Sequence, residues 1–340
     1  MKDYKTGEGE KVMNKNKEKS QNVWCSKKAA VLILVLVLMS SLVAAAAVED
    51  PYEQKLERVE NLTSAGKVMI NNISGDIRIS VWKEEKVKIE AVKRAAAKDE
   101  SQAKMAMEAV EIQIKSEPGL LTVKTQYPEN KGFFGKDISV SVDYTLWIPD
   151  RASVEASSIS GDILISQAGG QVMASTISGD VEISGGEKSI EAKTVSGDVK
   201  AEKIEGDCRL SSVSGDIYAT GIKGSVEAEA VSGSIHLKDI SQAKSVSARS
   251  VSGSIDYRGD VMNDGRYQFN SHSGNIVLVL PASASFELEA GAFSGTVKTE
   301  FPIEVIGEIS DKQIKGKVGK GGAYIVAKTF SGRVEIRKAS

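Results

Sequence analysis

Apolar and polar residues alternate along most of this chain, and the alternation itself recurs. The apolar and glycine positions run Val195, Gly197, Val199, Ala201, then Ile204, Gly206, Cys208, Leu210, then Val213, Gly215, Ile217, Ala219. Each position returns after nine residues, giving the unit apolar-x-Gly-x-apolar-x-apolar-x-x. The unit extends back through Ile177, Gly179, Val181, Ile183 and Ala168, Gly170, Val172, Ala174 to Ile159, Gly161, Ile163, Ile165. Seven residues of period two turn one face of a strand toward a core. The two remaining residues break the parity, as a corner must if the same face is to stay inward. On this pattern Val195, Val199 and Ala201 all build the wall.

A longer period encloses the short one. Ser-Gly pairs start at Ser160, Ser178, Ser196, Ser214 and Ser232, 18 residues apart, then at Ser252, Ser273, Ser294 and Ser331. Two nine-residue half-repeats per 18-residue coil, stacked coil on coil, predict an all-β fold, a parallel β-solenoid. About nine coils at ~4.8 Å per strand make a rod on the order of 40 Å long. Glycine stands in the third position of the major copies, at Gly161, Gly179, Gly197, Gly215, Gly233, Gly253, Gly274 and Gly295. A backbone conformation or a close approach that a Cβ would block accounts for that. The longer later coils place extra residues in "KDISQAKS" and "RGDVMNDGRYQ", read as loops bulging from a corner. They are drift, or one functional edge.

Residues 51–150 are less regular. "NISGDIRISVW" is one more copy of the unit, several further strands are legible, and "AAAKDESQAKMAMEAV" reads as a short helix. This section is expected to be a β-rich N-terminal cap containing one helix, with residues 151–340 as the solenoid repeat domain. The Arg- and Lys-rich "FSGRVEIRKAS" at the C-terminus reads as a charged, blunted edge strand.

The N-terminus carries an address. Residues 1–28 form a polar tail ending in Lys27-Lys28, and residues 29–48 are apolar, with Ala45-Ala46-Ala47 fitting a signal-cleavage site. The same run approaches the ~20 residues that span a bilayer. A cleaved signal peptide or an uncleaved anchor both place the rest of the chain outside the cytoplasm. Met13 offers a more ordinary signal-peptide start than Met1.

Composition narrows the chemistry. Of 340 residues 41% are apolar and 5% aromatic, and 44 basic against 46 acidic residues leave a net charge of −2. That balance provides no basic excess for nucleic acid. Cys208 is the one cysteine after the apolar run, Cys25 preceding it, so packing and ladders rather than disulfides must hold the exported part.

Asp162, Asp180, Asp198 and Asp216 would stack one per coil, with Asp76 in the detached copy. Carboxylates ~4.8 Å apart repel by about 1 kcal/mol even in water, which could favour a bound cation. From the fifth coil onward, however, the position becomes Ser234, Ser254, Asn275 and Thr296. What these share with Asp is a short side chain that bonds backbone N–H groups in turns, so the structural reading is preferred over a metal ladder.

His272 occupies the slot of Val195 and Val213 and reads as a core or corner position. His236 faces outward with no partner of metal-site spacing. Cys208 reads as a small buried hydrophobe. Phe133 and Phe134, in "YPENKGFFGKD", are a candidate contact loop or a fold-back over the cap. No nucleophile–base arrangement and no cofactor motif is present in the sequence.

"GDIRISVW…KVKIEAV", "VDYTLWIP" and the serial "SGD(V/I)" coils, with the N-terminal apolar segment, resemble the bacterial putative-adhesin domain family over residues 60–340. That resemblance implies β-strand-repeat proteins of unknown function, exported or membrane-attached, with no catalytic residues to transfer. The expectation is a non-enzymatic, monomeric cell-envelope solenoid for adhesion or scaffolding, meeting an unidentified envelope protein or surface ligand. The alternatives are an envelope-stress or regulatory protein that binds a membrane partner, and, more weakly, a carbohydrate-acting solenoid enzyme. The enzyme would need paired acids in a groove, whereas the outward charges Glu182, Lys200, Glu202 and Lys203 are scattered.

Overall fold

A computed structural model describes residues 52–128, 138–305 and 310–339. Among these, strands assemble into two sheets of 13 and 14 members that face each other across one core. Each coil crosses both. Val199–Ile204 lies in the first sheet and Cys208–Ser214 in the second, and the next coil begins at Ile217. Successive coils pair in parallel with an 18-residue offset, Ile190 beside Cys208 beside Val226. The solenoid read from the repeat is therefore the fold. From Val154 onward its core is mostly a column of Val, Ile, Leu and Ala until Tyr257, Tyr267 and Phe269 widen it, their rings meeting at 5.2 and 6.2 Å.

The two corners of a coil are not equivalent, and this corrects the nine-residue reading. At one corner Gln167, Gly185, Lys203, Gly221 and Asp239 adopt left-handed backbone, with φ between 54 and 72°. The kink reverses the alternation, so the next residue (Ala168, Ile204, Ile222 or Ile240) turns inward and is buried. At the other corner the strand runs straight into Ser-Gly. There Thr194 points inward and Val195 outward, 46% exposed. Val195 does not build the wall; Thr194 does.

The inserted residues of the longer coils sit after that left-handed corner and are tied from within. Tyr257 donates its hydroxyl to the Asp260 carbonyl at 2.7 Å. Tyr267 donates to the Ala243 carbonyl and accepts from the Met262 N–H, both at 2.8 Å.

Residues expected to cap the rod supply two coils of their own. Lys67–Asn71 pairs in parallel with Ser153–Ser160 on one side and Leu120–Gln126 on the other. Ile77–Trp82 does the same between Ile163–Ala168 and Ser139–Pro149. The cover lies further out. Lys86–Ala96 and then Tyr52–Asn61 add antiparallel to one sheet, and Glu111–Glu117 to the other. Helix Glu100–Ala109 buries Ala103, Ala106 and Met107 against this end, its N-terminus capped by Asp99, which accepts from the Gln102 N–H at 2.9 Å. Lys93 closes the other end of the helix, donating to the carbonyls of Met107 and Val110.

The C-terminal end is also out of chain order. Ala323–Ser331 lies between Arg266–Ser273 and Phe286–Ser294. Val334–Lys338 lies between Ile276–Leu280 and Val297–Thr299. "FSGRVEIRKAS" is thus an interior coil rather than an edge. The two sheets end here on Val297–Thr299 and on Glu304–Val305, strands of three and two residues. Brevity, not charge, limits edge pairing here.

Residues 1–51, with the apolar run 29–48, and Phe133 and Phe134 lie outside the described residues. No helix among the described residues is long and apolar enough to cross a membrane.

Candidate functional surface

The Ser-Gly corners repeat one set of bonds until the last, Ser294-Gly295, where the Val297 N–H turns to the Asp311 carbonyl. The Gly197 N–H donates to the Ser214 carbonyl at 3.1 Å, and the Val199 N–H to the Asp216 carbonyl at 3.0 Å. A Cβ built on Gly197 would overlap the carbonyl oxygen of Gly179 in the coil beneath, and φ at Gly197 is +146°. Backbone lies directly on backbone, which leaves no space for any other residue.

The stacked aspartates are spent on the backbone. Oδ1 of Asp162 accepts from the Asp180 N–H at 2.9 Å, Asp180 from Asp198 at 2.8 Å, and Asp198 from Asp216 at 2.8 Å. Asp216 then accepts from the Ser234 N–H at 2.7 Å, and Ser234 and Ser254 continue with their hydroxyls. Asn275 carries the ladder on to the Arg333 N–H at 2.9 Å. The bond reaches the next coil rather than closing a local turn, which is why a hydroxyl or an amide can replace the carboxylate. Among the described residues, no group of three or more His, Cys, Asp or Glu side chains is placed to hold a metal ion.

A second ladder runs inside the corner. Thr176, Thr194 and Ser212 donate their hydroxyls to the carbonyls of Gly161, Gly179 and Gly197 at 3.0–3.2 Å. Ser250, Ser271 and Thr329 do the same to Gly233, Gly253 and Gly274 at 2.9 Å. These buried hydroxyls are consumed by the fold.

The feature that sequence reasoning missed stands beside these ladders on the outer face. Ile159, Ile177, Val195, Val213, Val231 and Val251 form a continuous outward ridge, each 46–52% exposed. The ridge continues through His272, Phe330 and Phe293. His272 is therefore an exposed ridge position, its ring stacked on Phe330 at 4.9 Å, and Phe330 stacks on Phe293 at 4.7 Å. Phe293 is 70% exposed. The signal lay in the upstream strand: counted by two from Ile190 and Ala192, Thr194 falls inside and Val195 outside, whereas counting back from Val199 gives the opposite.

A trough accompanies the ridge. Over the coils from Ser211 to His272 it measures about 560 Å³, with Ser212, Ala230, Ser250 and Ser271 on its floor. Its far wall carries Glu229 and Arg249, paired at 2.8 Å. At the C-terminal coils a second hollow of about 670 Å³ continues the trough around Gly291, beside Phe293.

The remaining candidates are dispersed. His236 lies on the opposite sheet, stacked on Tyr218 at 5.1 Å and paired through Nδ1 with Asp256 at 3.0 Å. Burial pushes the Cys208 thiol up to about 12, consistent with a packed hydrophobe rather than a nucleophile.

These features define a parallel β-solenoid of glycine-cornered coils with an apolar ridge on one edge. The chain belongs to the Toastrack DUF4097 family, whose model matches residues 67–260. Solved structures with a similar chain course include a "putative cell adhesion protein" from Clostridium sporogenes, at 12% identity and a TM-score of 0.22, covering 85% of this chain and 100% of that one. A "putative lipid binding protein" from Parabacteroides distasonis shows 11% identity and a TM-score of 0.44, covering 84% and 97%. A "putative adhesin" from Bacteroides fragilis shows 13% identity and a TM-score of 0.37, covering 84% and 98%. Scores this low leave what those proteins bind without bearing on this chain. No curated protein matches it.

Proposed function

We propose that this chain is an exported, non-enzymatic cell-envelope protein whose solenoid presents an elongated surface for adhesion or envelope scaffolding. The observation that carries this reading is the unbroken stack of coils, which devotes the polar groups of its corners to building length. The apolar run 29–48 behind two lysines supports export. The reading is tested by protease treatment of intact cells producing the full chain with a C-terminal tag. Loss of the tag signal, and attachment of cells to a surface that depends on the chain, are expected; a tag protected until lysis would overturn it.

A second reading, a regulatory protein that engages a membrane partner, is favoured by the inserted residues held in place by Tyr257 and Tyr267. It predicts that the triple substitution Asp260→Ala, Asn263→Ala, Asp264→Ala releases one specific co-purifying envelope protein. Unchanged co-purification would remove it.

A further inference from the structure

The ridge and the trough run side by side along the rod, and each suits the other. The ridge is apolar. The trough floor is lined by hydroxyls already donated to glycine carbonyls, and its charged wall is internally paired through Glu229 and Arg249. The bonded hydroxyls of that floor favour an apolar occupant, and the polar side chains that line the sides include Ser211 and Asn270, with Lys312 and Gln313 at the C-terminal coils. The hollow at Gly291 lies on the same strand as the most exposed ridge residue, Phe293.

We infer that the occupant is a second copy of this chain, docked in parallel about a two-fold axis that runs along the rod. Such an axis lays the ridge of each copy in the trough of the other, level by level, and sets Phe293 opposite the partner copy's Gly291. An axis across the rod would instead set ridge on ridge. A ridge with one side chain per coil at ~4.8 Å fits along its whole length only a surface of the same pitch, which another copy has by construction. Area agrees. The eight apolar ridge side chains, His272 left out, presenting on the order of 75 Å² each, come to about 600 Å² per copy, or ~1,200 Å² in total, the lower bound for a stable specific interface. The isolated monomer would carry this as an exposed patch at the upper end of what soluble monomers show. The sequence alone had suggested a monomer.

The test uses the full chain carrying Cys25→Ser, co-expressed as two differently tagged copies. One copy carries Phe293→Cys and the other Gly291→Cys, where the nearest atom to an added Cβ is 4.0 Å away. A short bis-maleimide is expected to join the two tags. Phe293→Cys paired with Ile159→Cys should give none. The ridge variant Val213→Lys, Val231→Glu, Val251→Lys alters exposed positions only, with alternating charge. It should cut the yield at least tenfold while leaving the thermal unfolding midpoint in place. Cross-linking through Ile159→Cys, adducts to another protein instead of a second copy, or a yield unmoved by the ridge variant would each overturn the inference.

Discussion

The two corners of each coil solve the same problem with different chemistry. At the Ser-Gly corner the backbones of successive coils touch. Glycine is the sole residue that fits, and two side-chain ladders, one from Asp, Ser or Asn and one from Thr or Ser, bond coil to coil. At the opposite corner a left-handed residue turns the chain, and Gln167, Lys203 and Asp239 serve there as well as Gly185 and Gly221. The first corner is constrained by contact and the second only by dihedral angle. Insertions accordingly appear at the second, and the unvarying glycine at the first.

That contrast can be broken in order of effect. Gly215→Ala should be the most damaging single change, because the new Cβ overlaps the Gly197 carbonyl while φ stays at +154°. A loss of about 3 kcal/mol or more is expected from urea unfolding. Gly221→Ala tests the other corner, where φ is +68° and the nearest atom to the added Cβ is 3.7 Å away. It should cost about 1–2 kcal/mol, the left-handed penalty alone. Equal losses at the two sites would refute the contrast.

Thr194→Val keeps shape but removes the donor to the Gly179 carbonyl, for an expected loss of about 1–2 kcal/mol. Ala230 occupies the same column without a hydroxyl, level with the Gly215 carbonyl. Ala230→Ser should therefore stabilise, by about 0.5–1 kcal/mol.

Cys208 follows the second corner, and Tyr144 lies deep in the N-terminal coils. Burial raises both groups to about 12. A raised pKa favours the neutral form in the folded state, so the stability from these groups is complete below their unfolded values, ~8.5 and ~10. It is lost as pH rises from those values toward about 12. The urea midpoint should be flat from pH 7 to 8.5 and fall most steeply between pH 10 and 12. In a Cys25→Ser chain, Cys208 should resist thiol reagents at pH 8 until urea is added. The smallest effect is expected from Asp198→Asn, which retains an oxygen for the Asp216 N–H and should leave the midpoint within about 0.5 kcal/mol of wild type.

The coil length and the glycine requirement were legible because both leave a period in the chain. The direction of Val195 was not read correctly, because a nine-residue average treats the two corners as one. The kink that distinguishes them sits on residues such as Gln167 and Lys203, whose identities do not announce a left-handed backbone. The ridge was hidden by the same averaging. The exchange of coil order at both ends was illegible for a different reason. Parallel coils of one pitch present nearly the same edge to one another, so the repeat carries little record of which neighbours which. The strand pairings reveal it, Val334–Lys338 with both Ile276–Leu280 and Val297–Thr299 at one end and Ile77–Trp82 with both Ile163–Ala168 and Ser139–Pro149 at the other.

That exchange bears on how the rod responds to force and how it is assembled. A pull on the C-terminus loads a coil gripped on both flanks, so two parallel ladders must shear together instead of one unzipping from a free rim. Assembly inherits the same constraint. The coil of Phe286–Ser294 and Val297–Thr299 leaves the chain first but has no place to bind until Ala323–Lys338 has filled the gap beneath it. Growth by simple stacking therefore stops one coil short, and the last two coils close as a latch.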